Sequence, residues 1–195
     1  LKDSINDQSN PGYCFRILNT SYVIFGLGGN MLTLDGSWKD LGNANMSGWI
    51  NVGPGGRLYI ERFARLINTF NNEKKSGAPI MTYGDTQINC EIGRCKGYNG
   101  GAIKNIKGTL KVYGDTKIHD CVSSNRRWGN TVITQKGTLS IEDSEIWNCE
   151  ALEEGGAIFQ KMQIVRVLFI QGRYIITNQV KVPEQFSQDM ERRLL

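Results

Sequence analysis

Three aspartates raise the question of chemistry in this chain: Asp85, Asp115 and Asp143, each followed at once by a hydroxyl residue, Thr86, Thr116 or Ser144. If the fold stacks them, like charges one layer apart repel. Such a ladder either lies at solvated turns or holds a divalent cation such as Ca2+ through oxygen ligands. The hydroxyl after each aspartate is what an Asx or ST turn selects, because a short polar side chain bonds back to nearby backbone. The calcium reading makes Asp85, Asp115 and Asp143 metal ligands, whereas the turn reading needs no cofactor.

A second set is Arg94, Tyr98, Arg126, Arg127 and Trp128, all within segments that vary between repeats. Aromatic rings beside guanidinium groups suit a glycan or an acidic partner; the alternative is loop filler folded back on the wall. Five cysteines, Cys14, Cys90, Cys95, Cys121 and Cys149, are odd in number and contain no Cys-x-x-Cys, so neither a disulfide framework nor a zinc site is indicated. Cys90, Cys121 and Cys149 each follow an apolar residue, Ile88, Ile118 or Ile146, and are expected in one register. They would form a buried thiol column or lie within disulfide reach. His119 is the only histidine. Its neighbours Ile118 and Asp120 place it outward and solvated, and no nucleophile motif accompanies it, so no Ser-His-Asp set is assigned. No residue is assigned a catalytic role.

What positions these groups is repetition. Gly108-Thr109-Leu110-Lys111-Val112 returns about 29 residues later as Gly137-Thr138-Leu139-Ser140-Ile141, with an earlier copy at Gly56-Arg57-Leu58-Tyr59-Ile60 and a looser one at Val167-Leu168-Phe169-Ile170. Before each stands a segment like Gly100-Gly101-Ala102-Ile103 or Gly155-Gly156-Ala157-Ile158. After each comes one like Asp115-Thr116-Lys117-Ile118-His119-Asp120-Cys121, a slot in which Asp143 to Cys149 and Asp85 to Cys90 are also expected. Apolar and polar residues alternate over about four positions, the period of a half-buried strand, and glycines and Asp-Thr pairs separate the segments. Units this short bury their apolar faces only against copies of themselves. The expected fold is all-β: a right-handed parallel β-helix of five or six coils with three short strands per coil. Residues 1–21 read as a lead-in, 22–182 as the β-helix and 183–195 as a tail or a helical cap.

The Gly-Gly-Ala-Ile segments, each followed by a Gly-Thr-Leu-type strand, resemble the repeats of the polymorphic outer-membrane protein family and of bacterial surface proteins with pectin-lyase-like β-helices. The resemblance implies an exported or surface-attached protein, often adhesive. It also implies a rival, since enzymes of that fold cleave acidic polysaccharides.

Composition narrows the rest. A chain of 195 residues with 39% hydrophobic and 22% charged residues suits a folded domain, and 23 glycines against 4 prolines suit many tight turns. A net charge of +4 without a recognition motif gives no case for nucleic acid. No apolar run reaches the roughly 18 residues of a membrane span. The first residue is Leu1, not Met, which reads as a processed product or a piece of a longer chain. The leading expectation is a noncatalytic, adhesin-type module, secreted or on the cell surface, that binds a glycan or a surface protein. The alternative is a polysaccharide lyase or glycoside hydrolase.

Overall fold

Alternation in four-residue segments can close a core only if equivalent segments lie over one another, and the protein folds this way. The computed structural model describes residues 15–36, 49–71, 78–98, 100–124, 133–135, 137–151 and 158–160. Among these there is no helix, and the paired strands run parallel in four sheets. The first sheet includes Ile50–Val52, Ile80–Thr82 and Ile103–Asn105. The second includes Arg57–Ile60, Asp85–Ile88, Thr109–Val112 and Thr138–Ile141. The third includes Ala64–Ile67, Glu91–Gly93, Lys117–His119 and Glu145–Trp147. A fourth ladder of two-residue strands, Phe70–Asn71, Lys96–Gly97, Val122–Ser123 and Glu150–Ala151, closes the turn. The result is a parallel β-solenoid of about three turns over 49–71, 78–98 and 100–124, extended in the same sheets by strands on either side.

The core follows the expected rows. Leu58, Leu110 and Leu139 face one interior and are fully buried, as are Ile60, Ile88, Val112 and Ile141 behind them. On the third sheet Leu66, Ile92, Ile118 and Ile146 form another inward row. Each such side chain contributes about 1.5–3 kcal/mol by leaving water. Thr86 interrupts the leucine row; its hydroxyl donates to Thr82 Oγ1 at 2.8 Å, and Thr82 donates to the Gly84 carbonyl at 3.0 Å, so the buried oxygens are satisfied.

Rungs press together hardest at the corner before the second sheet. A Cβ on Gly108 would lie 1.7 Å from the Gly84 carbonyl oxygen, and one on Gly84 would lie 2.2 Å from that of Gly56. Gly137 repeats the contact at 2.1 Å from Gly108. Only glycine permits this approach.

Two expectations change. Asp85–Ile88 does not occupy the third slot. It pairs with Arg57–Ile60 and Thr109–Val112 as the second-sheet strand of its coil. Inward Thr86 and Ile88 fit either slot by alternation alone. Coil length decides, because paired positions are 23 residues apart from Ile80 to Ile103 but 30 from Ile50 to Ile80. The second change is the fourth ladder, within segments expected to be loop, whose strands are too short to show a period. Residues 1–14, Gly155 to Ala157, Leu168 and the proposed cap at 183–195 lie outside the described residues.

Candidate functional site

The third sheet gathers polar and aromatic side chains on its outer face. Its strands Glu91–Gly93, Lys117–His119 and Glu145–Trp147 are three residues long with an apolar centre, Ile92, Ile118 or Ile146, turned inward, so both flanking residues face out. Pairing aligns Thr33, Arg65, Glu91, Lys117 and Glu145 in one outer row, and Gly93, His119 and Trp147 in the next. The residue after each of Gly93, His119 and Trp147, and after Ile67 paired with Gly93, turns the chain through the left-handed region: Arg94 (φ 52°), Asp120 (φ 51°), Asn148 (φ 48°) and Asn68 (φ 54°). Asn and Asp tolerate that conformation best, and Arg94 is the exception.

His119 is held on every side. Its Nδ1 lies 2.7 Å from Asp120 Oδ2 and its Nε2 lies 3.3 Å from Glu91 Oε1. The ring stacks on Trp147 with centroids 4.7 Å apart and planes within 11°. On its other side the missing side chain of Gly93 makes room, since a Cβ there would stand 2.6 Å from His119 Cε1. Only 17% of the imidazole remains exposed. The sequence reading of an outward histidine therefore holds for direction, but not for a solvated side chain. The Asn148 amide donates to the other oxygen of Asp120. Hydrogen bonds from His119 and Asn148 hold the Asp120 carboxyl below its ordinary range.

Beside this row, toward the second sheet, lies a shallow depression of about 230 Å³ lined by Arg62, Arg65, Asn89, Glu91, Asp115 and Lys117 among others. Lys117 stands in register between Glu91 and Glu145, yet it pairs with no carboxylate among the described residues. Asn89 contributes a buried Oδ1 with no hydrogen-bond donor. The depression thus holds a free ammonium, guanidinium groups and carboxylates on one surface.

The anticipated site residues are dispersed. Asp115 and Asp143 are exposed at equivalent turns before Thr116 and Ser144, whose buried hydroxyls cap the turn: Thr116 donates to the Tyr113 carbonyl at 2.6 Å, Ser144 to that of Glu142 at 2.7 Å. Asp85 lies apart, opposite Arg57 and Thr109 on the second sheet. Among the described residues no group of three His, Cys, Asp or Glu is placed to hold a metal ion. Arg94 is exposed at the corner, Tyr98 is half-buried beyond the fourth ladder, and Arg126, Arg127 and Trp128 lie outside the described residues.

The thiol column exists with different membership. Cys95, not Cys90, stacks with Cys121 and Cys149, since the residues that follow them are paired. Cys90 is buried at the opposite end of its strand, where burial pushes its thiol well up. A repeated Ile-x-x-Cys could have revealed this: Ile92-Gly93-Arg94-Cys95, Ile118-His119-Asp120-Cys121 and Ile146-Trp147-Asn148-Cys149. The same alignment would have put Gly93, His119 and Trp147 in one row.

Comparison with protein-family models, curated proteins and solved structures finds no match to this chain. No described helix is long and apolar enough to cross a membrane.

Proposed function

We propose that the protein is a noncatalytic binding module of the adhesin type, displayed outside the cell, that holds a glycan against its third sheet. The observation that carries this reading is the immobilised His119, pinned between Glu91 and Asp120 and stacked on Trp147. An indole and imidazole fixed in place lose little freedom on binding. A sugar lays its C–H face on the indole while its hydroxyls bond to the neighbouring Glu91, Lys117 and Glu145. The test is a glycan array read with wild type and with Trp147→Ala. Retained folding with loss of the wild-type signal is expected; an unchanged signal contradicts the reading.

One observation favours a second reading, a polysaccharide lyase. The depression puts Lys117, unpaired, beside Asp115, Glu91 and Arg65. A lyase needs a base to take a proton and cations to hold an acidic sugar. A polygalacturonate assay with and without Ca2+ separates the two. Unsaturated product that disappears in Lys117→Ala and Asp115→Ala supports the enzyme, and none from either form supports the binder.

A further inference from the structure

The interior holds a feature directly behind the outer row. Cys95, Cys121 and Cys149 each follow an outward residue by two positions, and each thiol donates to that residue's carbonyl: Gly93 at 3.3 Å, His119 at 3.1 Å and Trp147 at 3.1 Å. All three are free thiols, with exposures of 0%, 0% and 5%. Paired strands stand about 4.8 Å apart, inside the roughly 4.4–6.8 Å Cα separation that a disulfide spans. Cys121 is the middle member, and Cys90 lies at the other end of its strand, outside the column.

We propose that this column is an oxidation site, in which a hydroperoxide links Cys121 to an adjacent rung, Cys149 before Cys95, and the link re-aims His119 and Trp147. Cys149 is the most exposed of the three and reacts first. Its sulfur attacks the peroxide, the O–O bond breaks, and a sulfenic acid and water result. The Cys121 sulfur then attacks the sulfenic sulfur, forming the S–S bond and releasing a second water. Two thiols give up two electrons and two protons, and hydrogen peroxide is reduced to two waters. Burial and the thiols above and below push Cys121 up, which disfavours it as the first attacker; its place on the adjacent rung is what brings it to the sulfenic sulfur. Three thiols allow one link at a time. The link removes S–H donors from the His119 and Trp147 carbonyls at the corner that carries both rings, and the roughly 5.5–6 Å Cα separation a disulfide favours spreads the two rungs there.

The experiment treats the folded protein with hydrogen peroxide, maps linked peptides by mass, and follows the imidazole resonances of His119, the only histidine in the chain. It needs no glycan, so its outcome is independent of the binding reading. Expected are a Cys121–Cys149 peptide lacking two hydrogens, a lesser Cys121–Cys95 product, and a shift of the His119 signals reversed by dithiothreitol. Cys90→Ser should keep the link. Cys121→Ala should lose both link and shift, because Cys95 and Cys149 are two rungs, about 10 Å, apart. Thiols that stay free, links through Cys90 or Cys14, or a link without movement of His119 would each overturn the proposal.

Discussion

The second and third sheets enclose the same interior but present opposite exteriors. Outside the second sheet, groups neutralise one another: Lys111 pairs with Glu142 at 3.1 Å and lies over the Tyr113 ring, whose hydroxyl donates to Glu61 at 3.0 Å. Burial and that Glu61 acceptor push the Tyr113 phenol up to about 12. Outside the third sheet, equivalent positions hold Gly93, His119 and Trp147, three residues that share no property except that they fit together. In a solenoid, recurrence identifies the wall. The row where side chains stop recurring is where a binding surface can be built without disturbing the stack.

The largest expected effects test whether the two faces share one interior. Leu110→Ala and Ile118→Ala should each cost about 2–5 kcal/mol in denaturant unfolding. A shared core requires similar losses, and a loss confined to one would separate the faces. Next come the glycines. Gly108→Ala drives a methyl into a carbonyl and should destabilise by about 1–3 kcal/mol or more. Gly93→Ala meets the His119 ring first, a side chain rather than a backbone carbonyl. It should cost less stability than Gly108→Ala while displacing the His119 resonances and weakening glycan binding.

Smaller effects sharpen the contrast. Asp120 is depressed by its hydrogen bonds to His119 and Asn148, so its stabilisation is present above its ordinary value of 3.8 and lost as pH falls through the lower folded value. Its side chain is 39% exposed, so solvent screening limits the effect. Asp120→Asn should cost about 0.2–1 kcal/mol near neutral pH, and the difference from wild type should vanish in acid. An undiminished difference in acid would detach Asp120 from this role. Smallest is Glu142→Gln on the second sheet, expected within about 0.5 kcal/mol of wild type with glycan binding unchanged.

The sequence revealed the wall better than the site. Thr109–Val112 and Thr138–Ile141 pair in the register their shared Gly-Thr-Leu implies, and Ile118 and Ile146 stack as their shared segment implies. The Asp85 segment went astray because Thr86 and Ile88 satisfy alternation in either sheet, and its coil is shorter than its neighbours. That slip carried Cys90 into the thiol column and hid Gly93 from the row of His119 and Trp147. Of the partners of His119, Asp120 adjoins it in sequence and Trp147 follows from the Ile-x-x-Cys alignment, but the contact with Glu91 does not follow from alternation. Glu91 lies a coil away, and a two-residue alternation reports direction, not what stands opposite.

The most direct test is which backbone lies beside Thr86. Interstrand nuclear Overhauser contacts should join Thr86 to Leu58 and Leu110, on the coils either side of it. Contacts from Thr86 to Thr116 instead would return Asp85 to the third slot. They would dissolve the row of Gly93, His119 and Trp147 on which the proposed binding surface depends.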